Sequence, residues 1–197
     1  MNLAIFASGD GSNFAALVKA VKEKKLKVKF VVLVCDHPEA FVVKRARKAK
    51  ITTILVRRED FVSRLDFEAA IIQRLKNYKI DLIALAGFMR LLSPDFVKRY
   101  RNRVMNIHPS LLPAFKGAHA ISDAFKAGVD STGVTVHFVD EEVDHGSIIL
   151  QGKIKIKGAD TLASLERRIH LLEHKLYPQA IKLLLNAKIK LPRKTKA

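Results

Sequence analysis

Leu3-Ala4-Ile5-Phe6-Ala7-Ser8-Gly9-Asp10-Gly11-Ser12-Asn13 decides how the rest of the chain is read. Its five leading apolar residues form the pattern of a strand covered on both faces, as in a parallel sheet. A glycine-rich turn follows, and Phe14, Leu17, Val18 and Val21 then recur at helical spacing. Strand, glycine turn and helix in that order leave backbone N–H groups free at the positive end of a helix, where a phosphate can sit. Ser12 and Asn13 add side-chain donors. No lysine follows as in a Walker loop, and Phe14 stands where the G-x-G-x-x-G dinucleotide pattern needs its third glycine. A phosphomonoester therefore fits better than a dinucleotide, although a plain tight turn with an N-cap would have the same composition.

Working outward, the alternation continues. Phe30 to Val34, Thr52 to Val56 and Ile80 to Ala86 read as strands; Ala40 to Ala49 and Asp66 to Tyr78 read as helices. This alternation predicts an α/β fold, Rossmann-like, with a mostly parallel central sheet flanked by helices. Ligands of such sheets bind beyond the carboxyl ends of the strands. Three stretches end there and are expected to converge: the 9–13 loop, Gly87-Phe88-Met89-Arg90-Leu91-Leu92, and Met105-Asn-Ile-His-Pro-Ser-Leu-Leu-Pro113. The second is largely apolar, carries one arginine and runs into Ser93-Pro94, a helix start. It could wall a flat aromatic ligand, and simple packing would account for it equally well.

In the third stretch Asn106 and His108 are two apart, so in a strand they share a face. An imidazole can exchange protons near neutral pH and an amide can stabilise a polarised oxygen, a pairing suited to acyl or formyl transfer. A hydrogen-bonded histidine at a strand end is the plainer alternative. Gly133 to Val139 alternates as a strand, with Val134, Val136 and Phe138 on one face and Thr135 and His137 on the other. It leads into Asp140-Glu141-Glu142-Val143-Asp144-His145-Gly146, four carboxylates in five residues. Ile148 to Ile156 reads as a last strand. A long helix then starts at Asp160 and Thr161, with Leu162, Leu165, Ile169, Leu172 and Leu176 on its buried stripe, and Pro178 is expected to interrupt it. His170 and Glu173 share a face of that helix.

Composition bounds the rest. A chain of 197 residues with 49% hydrophobic content suits one domain with a substantial core. No apolar run approaches the roughly 20 residues of a membrane span, and no basic leader precedes the first strand, so a cytoplasmic protein without a membrane partner is expected. Cys35 is the single cysteine and sits in an apolar run, as a buried inert thiol does. The excess of 36 Lys and Arg over 19 Asp and Glu gives a net charge of +17. Such a charge attracts anions of every kind. Its densest patches, Lys19 to Lys29 and Lys188 to Lys196, carry none of the interleaved aromatic residues of a single-strand binder, so a nucleic-acid partner is not expected. The acids and histidines match no zinc or EF-hand spacing, and no metal is expected.

With these pieces assembled, the chain resembles the phosphoribosylglycinamide formyltransferases, folate-dependent transformylases of purine synthesis. The resemblance runs from Ile5 through Glu173-His174-Lys175-Leu176-Tyr177-Pro178. It is carried by Gly9-Asp-Gly-Ser-Asn13, Leu85-Ala-Gly-Phe-Met-Arg-Leu-Leu92, Asn106-Ile-His-Pro-Ser-Leu-Leu-Pro113, and Gly133-Val-Thr-Val-His-Phe-Val139 through Asp144-His-Gly146. It implies one formyltransferase domain over 1–197, with a phosphate-binding half (1–100) and a catalytic and folate-binding half (101–197). It further implies that Gly11, Ser12, Asn13, His170 and Glu173 hold glycinamide ribonucleotide, Glu173 at the ribose. The co-substrate 10-formyltetrahydrofolate would lie along Met89, Arg90, Leu91 and Leu92 and the Asp140–Glu141 loop, with Arg64 near its benzoyl-glutamate. Asn106, His108 and Asp144 would be catalytic, Asp144 raising the His108 pKa and assisting proton transfer. His145 and His170 depart from the residues common in the family, and a monomer or homodimer is expected.

The rivals sharing Asn-x-His and Asp are formyltetrahydrofolate hydrolases, with an extra N-terminal domain, and methionyl-tRNA formyltransferases, with a C-terminal RNA-binding one. A nicotinamide oxidoreductase would need an acid at the end of the second strand, where Asp36 is an isolated candidate. A non-enzymatic nucleic-acid binder rests on charge alone.

Overall fold

Continuous apolar strands imply two covered faces, and the computed structural model, which describes residues 1–186, has two cores. In β1 (Asn2–Phe6) and the residue after it, Leu3, Ile5 and Ala7 enter one core while Ala4 and Phe6 enter the other. The pattern repeats in β2 (Lys29–Cys35) and β4 (Leu82–Leu85), as the period of two requires. The first core is covered by α1 (Ser12–Lys22), α2 (Phe41–Lys48) and α6 (Leu162–Asn186), with α5 (Ala120–Lys126) packed at its margin. The second core is covered by α3 (Arg64–Leu75) and α4 (Pro94–Arg99).

Seven strands form one sheet in the order β3-β2-β1-β4-β5-β6-β7. From β3 (Thr53–Leu55) to β5 (Val104–His108) in that order the strands are parallel to one another. β6 (Ser131–Phe138) and β7 (Ile148–Lys155) are antiparallel. The mostly parallel Rossmann-like architecture is thus as read from the sequence. Strand order reverses between β1 and β4, and the carboxyl ends of β1, β4 and β5 lie side by side there, the usual ligand crevice of such sheets.

Helix starts follow side-chain chemistry. Ser63 accepts from the Asp66 N–H at 3.1 Å and starts α3 two residues before the expected Asp66; Ser93 accepts from the Phe96 N–H at 3.2 Å ahead of Pro94. One expectation fails: α6 runs unbroken through Pro178. The proline costs about 3 kcal/mol by removing the N–H that the His174 carbonyl would use. Leu176, Tyr177, Ile181 and Leu184 are buried on both sides of it, each contributing about 1.5–3 kcal/mol, so packing wins. The Tyr177 hydroxyl also donates to the Leu85 carbonyl at 2.7 Å, fastening α6 to the end of β4. The basic stretch from Lys188 lies outside the described residues.

Candidate active site

β5 and β6 present their polar residues on one face. Met105 and Ile107 enter the first core together with Val134 and Val136, which turns Asn106, His108, Thr135 and His137 the other way. The antiparallel register sets Asn106 opposite His137 and His108 opposite Thr135. The loops after β5 and β6 reach over this end of the sheet's second face. Thr135 shapes the first loop: its hydroxyl donates to the Ser110 carbonyl at 2.7 Å and accepts from the Leu112 N–H at 3.0 Å.

Both nitrogens of His108, a buried residue, face acceptors. Its Nε2–H donates to the Phe115 carbonyl at 2.8 Å, and Nδ1 lies 3.3 Å from Asp144 Oδ2. The same Oδ2 accepts the Gly117 N–H at 2.9 Å, and Oδ1 lies 3.6 Å from His137 Nε2. His137, only 2% exposed, donates its Nδ1–H to the Phe138 carbonyl at 2.8 Å, and its Nε2 is 3.4 Å from Asn106 Nδ2. Burial by itself would push the Asp144 carboxyl up. The hydrogen bonds from His137 and Gly117 and the charges of His108 and His137 outweigh it, and the carboxyl is held below the ordinary range. Asp144 reaches this position through a left-handed backbone, φ +51°, which aspartate tolerates better than most residues. Two residues on, a Cβ at Gly146 would stand 1.9 Å from the Phe138 carbonyl oxygen, so only glycine lets the loop close onto the end of β6.

The glycine loop adjoins this corner. Gly11 takes φ +77°, and a Cβ there would meet Val42 at 2.5 Å, so α2 approaches the loop as closely as it does only because the residue is glycine. Asn13 Nδ2–H donates to Glu173 Oε2 at 3.0 Å, and His170 Nδ1 lies 3.0 Å from the same oxygen. The hydrogen bond to Glu173, against the effect of burial, raises the His170 pKa. Asn13, Glu173 and His170 are therefore one cluster, joining α1 to α6. Ser12 and Gly11 lie beside Asn13 at the start of α1.

The 87–92 segment is tied to the glycine loop. The Ser8 N–H donates to the Gly87 carbonyl and the Ser8 hydroxyl accepts the Met89 N–H, each at 2.9 Å. Met89 and Leu91 project into solvent, 73% and 62% exposed, with Leu92 half-buried. Arg90 turns inward, its Nε–H donating to Asp36 Oδ2 at 2.7 Å. Arg64 stands exposed on the first turn of α3 and makes no hydrogen bond or ion pair among the described residues. Asp140 pairs with His145 at 2.9 Å, and exposed Glu141 lies 3.9 Å from Lys98. The departure at position 145 is thus a contact with Asp140 within the acidic loop, outside the buried cluster.

The expected convergence of three strand ends is present. The sequence reading omitted His137, the Phe115 carbonyl and the Gly117 N–H. Polar Thr135 and His137 alternating with valines carried the signal for the first, but only the β5–β6 register assigns it to Asn106. Backbone groups have no sequence signal. Among the described residues no group of three His, Cys, Asp or Glu side chains is arranged to hold a metal ion, and no helix is long and apolar enough to cross a membrane.

The family described as formyl transferase matches residues 1–181. The chain is 48% identical over 182 residues to the phosphoribosylglycinamide formyltransferase of Bacillus subtilis (strain 168), covering 92% of this chain and 93% of that protein. It is 39% identical over 189 residues to the human trifunctional purine biosynthetic protein adenosine-3, spanning 96% of this chain but only 19% of that longer one. Its fold is similar to the crystal structure of glycinamide ribonucleotide transformylase 1 from Geobacillus kaustophilus, with a TM-score of 0.91, 46% identity, and coverage of 93% of this chain and 98% of that one.

Proposed function

The chain belongs to the formyl transferase family, and we propose that it transfers the formyl group of 10-formyltetrahydrofolate to the amine of glycinamide ribonucleotide, in the cytoplasm and as a monomer or homodimer. The observation that carries this reading is that the His108–Asp144 pair and Asn106, at the end of β5, and the Asn13–Glu173 cluster, after β1, lie at the same end of the sheet. A transferase needs its two substrates side by side, and positioning them supplies much of the barrier reduction.

In the proposed reaction the amine nitrogen attacks the formyl carbon and negative charge develops on the formyl oxygen. The His108 imidazolium and the Asn106 amide stabilise that oxygen. The bond from the formyl carbon to the folate nitrogen then breaks, and the amine proton passes to that nitrogen through a water ordered by Asp144. His108 has both nitrogens engaged, so one contact must open for the ligand. The Phe115 carbonyl is the exchangeable one, since it is neutral, whereas Asp144 is the charged partner and is itself held by the Gly117 N–H. Gly11, Ser12 and Asn13 take the ribonucleotide phosphate, and Glu173 and His170 the ribose side. Met89, Leu91, Leu92, Asp140, Glu141 and Arg64 take the folate, for which the exposed apolar pair Met89 and Leu91 suits a flat ring and the unpaired Arg64 an anionic tail.

The test follows the absorbance of the deformylated folate with and without glycinamide ribonucleotide. Product only in its presence is expected. Equal release without it would mean a hydrolase, and no release in either case would overturn the reading.

A further inference from the structure

Asp36 closes β2 at the position where a dinucleotide-binding sheet carries its ribose-binding acid, yet its side chain is fully buried and no ribose could reach it. Burying a carboxylate is costly unless a cation meets it. The cation comes from 54 residues away: the Arg90 Nε–H donates to Asp36 Oδ2 at 2.7 Å. His37 Nε2 lies 3.6 Å from the same oxygen and 3.4 Å from Arg90 Nη2, closing the arrangement on its solvent side. Asp36 Oδ1 has no partner among the described residues, so Arg90 is the principal compensation for a buried charge.

Arg90 lies between Met89 and Leu91, the two most exposed side chains of the 87–92 segment. An arginine in a solvent-facing loop ordinarily reaches its head into water. Drawn inward here, it leaves the segment with three tethers: the two backbone bonds to Ser8 at its start and the Asp36 pair at its middle. We infer that Asp36 is a positioning residue for the formyl donor: by holding the Arg90 guanidinium inside, it fixes the 87–92 segment in the shape that presents Met89 and Leu91 to the folate ring. This inference rests on the reading of that segment as the folate wall. It also gives Arg90 a different task from a direct ligand contact, since its head group is spent on Asp36.

Freeing even one or two residues of a binding loop costs entropy on binding that corresponds to about a tenfold loss of affinity. Asp36→Asn, Asp36→Ala and Arg90→Ala are each expected to weaken tetrahydrofolate binding about tenfold by calorimetry and to raise the KM for the formyl donor to match. The kcat at saturation and the KM for glycinamide ribonucleotide should stay within about twofold. The Asp36→Ala, Arg90→Ala double variant should lose no more affinity than either single one, the mark of one shared interaction. Unchanged tetrahydrofolate affinity in Asp36→Asn, the variant least apt to unfold because it removes the buried charge and leaves only the partly exposed Arg90 unpaired, would overturn the inference. So would a loss falling equally on both substrates. A wild-type protein that binds no tetrahydrofolate would instead remove the folate reading itself.

Discussion

The corner around His108 and the wall at 87–92 are adjacent and built on opposite plans. In the corner, polar side chains are buried and held by three backbone groups, the Phe115 carbonyl and Gly117 N–H of the loop after β5 and the Phe138 carbonyl at the end of β6. On the wall, the apolar side chains of Met89 and Leu91 are exposed and only the backbone and Arg90 are held. A corner for chemistry must keep donors aimed while charge develops, so its order has to exist before the ligand arrives. A wall for a flat ring gains from apolar surface that the ligand itself will cover. Substitutions should therefore act on turnover in the corner and on affinity along the wall.

The largest expected effect is that of Asp144→Asn, which should lower kcat by about 10²–10³-fold, the scale of losing an electrostatic partner of the transition state. Glycinamide ribonucleotide should bind within about threefold of wild type by calorimetry; comparable loss of binding would erase the contrast. The same variant carries a pH signature. The Asp144 carboxyl is held below its ordinary value in the folded protein. Its stabilising contribution is therefore present above the unfolded carboxylate pKa of about 4 and is lost as pH falls through the folded value. The gap in unfolding free energy between wild type and Asp144→Asn should be full at neutral pH and close at strongly acidic pH.

On the wall, Met89→Ser with Leu91→Ser should raise the formyl-donor KM about tenfold and leave kcat near wild type. Unfolding should shift by no more than about 0.5 kcal/mol, because neither side chain is buried. A fall in kcat with unchanged KM would mean that the wall belongs to the chemistry.

His170→Asn should show the smallest effect, since that imidazole is half exposed. Its pKa is raised by Glu173, so its contribution is complete below about 6.5, the unfolded value, and fades as pH rises through the folded one. The variant should match wild-type stability at alkaline pH and fall below it in mild acid. A difference independent of pH would mean packing rather than charge.

How much of this was legible beforehand varied with the kind of interaction. The phosphate loop, the Ser93 cap and the Asn106–His108 spacing are local, and they could be read because glycines, caps and i, i+2 spacing act within a few residues. The unbroken α6 was misread because the energy that carries it across Pro178 comes from the sheet beneath. His137 is placed on a strand face by its sequence but given a role only by the strand register, and Arg90 reads as a folate contact because its partner lies 54 residues earlier in the chain.

The sequence by itself determined an alternating α/β chain, the glycine loop and the residue types for formyl transfer, since period, turn chemistry and side-chain chemistry are properties of short segments. Only the tertiary structure decided that Asp144 sits between two imidazoles, that Asn13 meets Glu173 across 160 residues, and that Asp36 is buried against Arg90. Those choices depend on which strands pair and on which charges are taken out of water together, and no short segment contains that information.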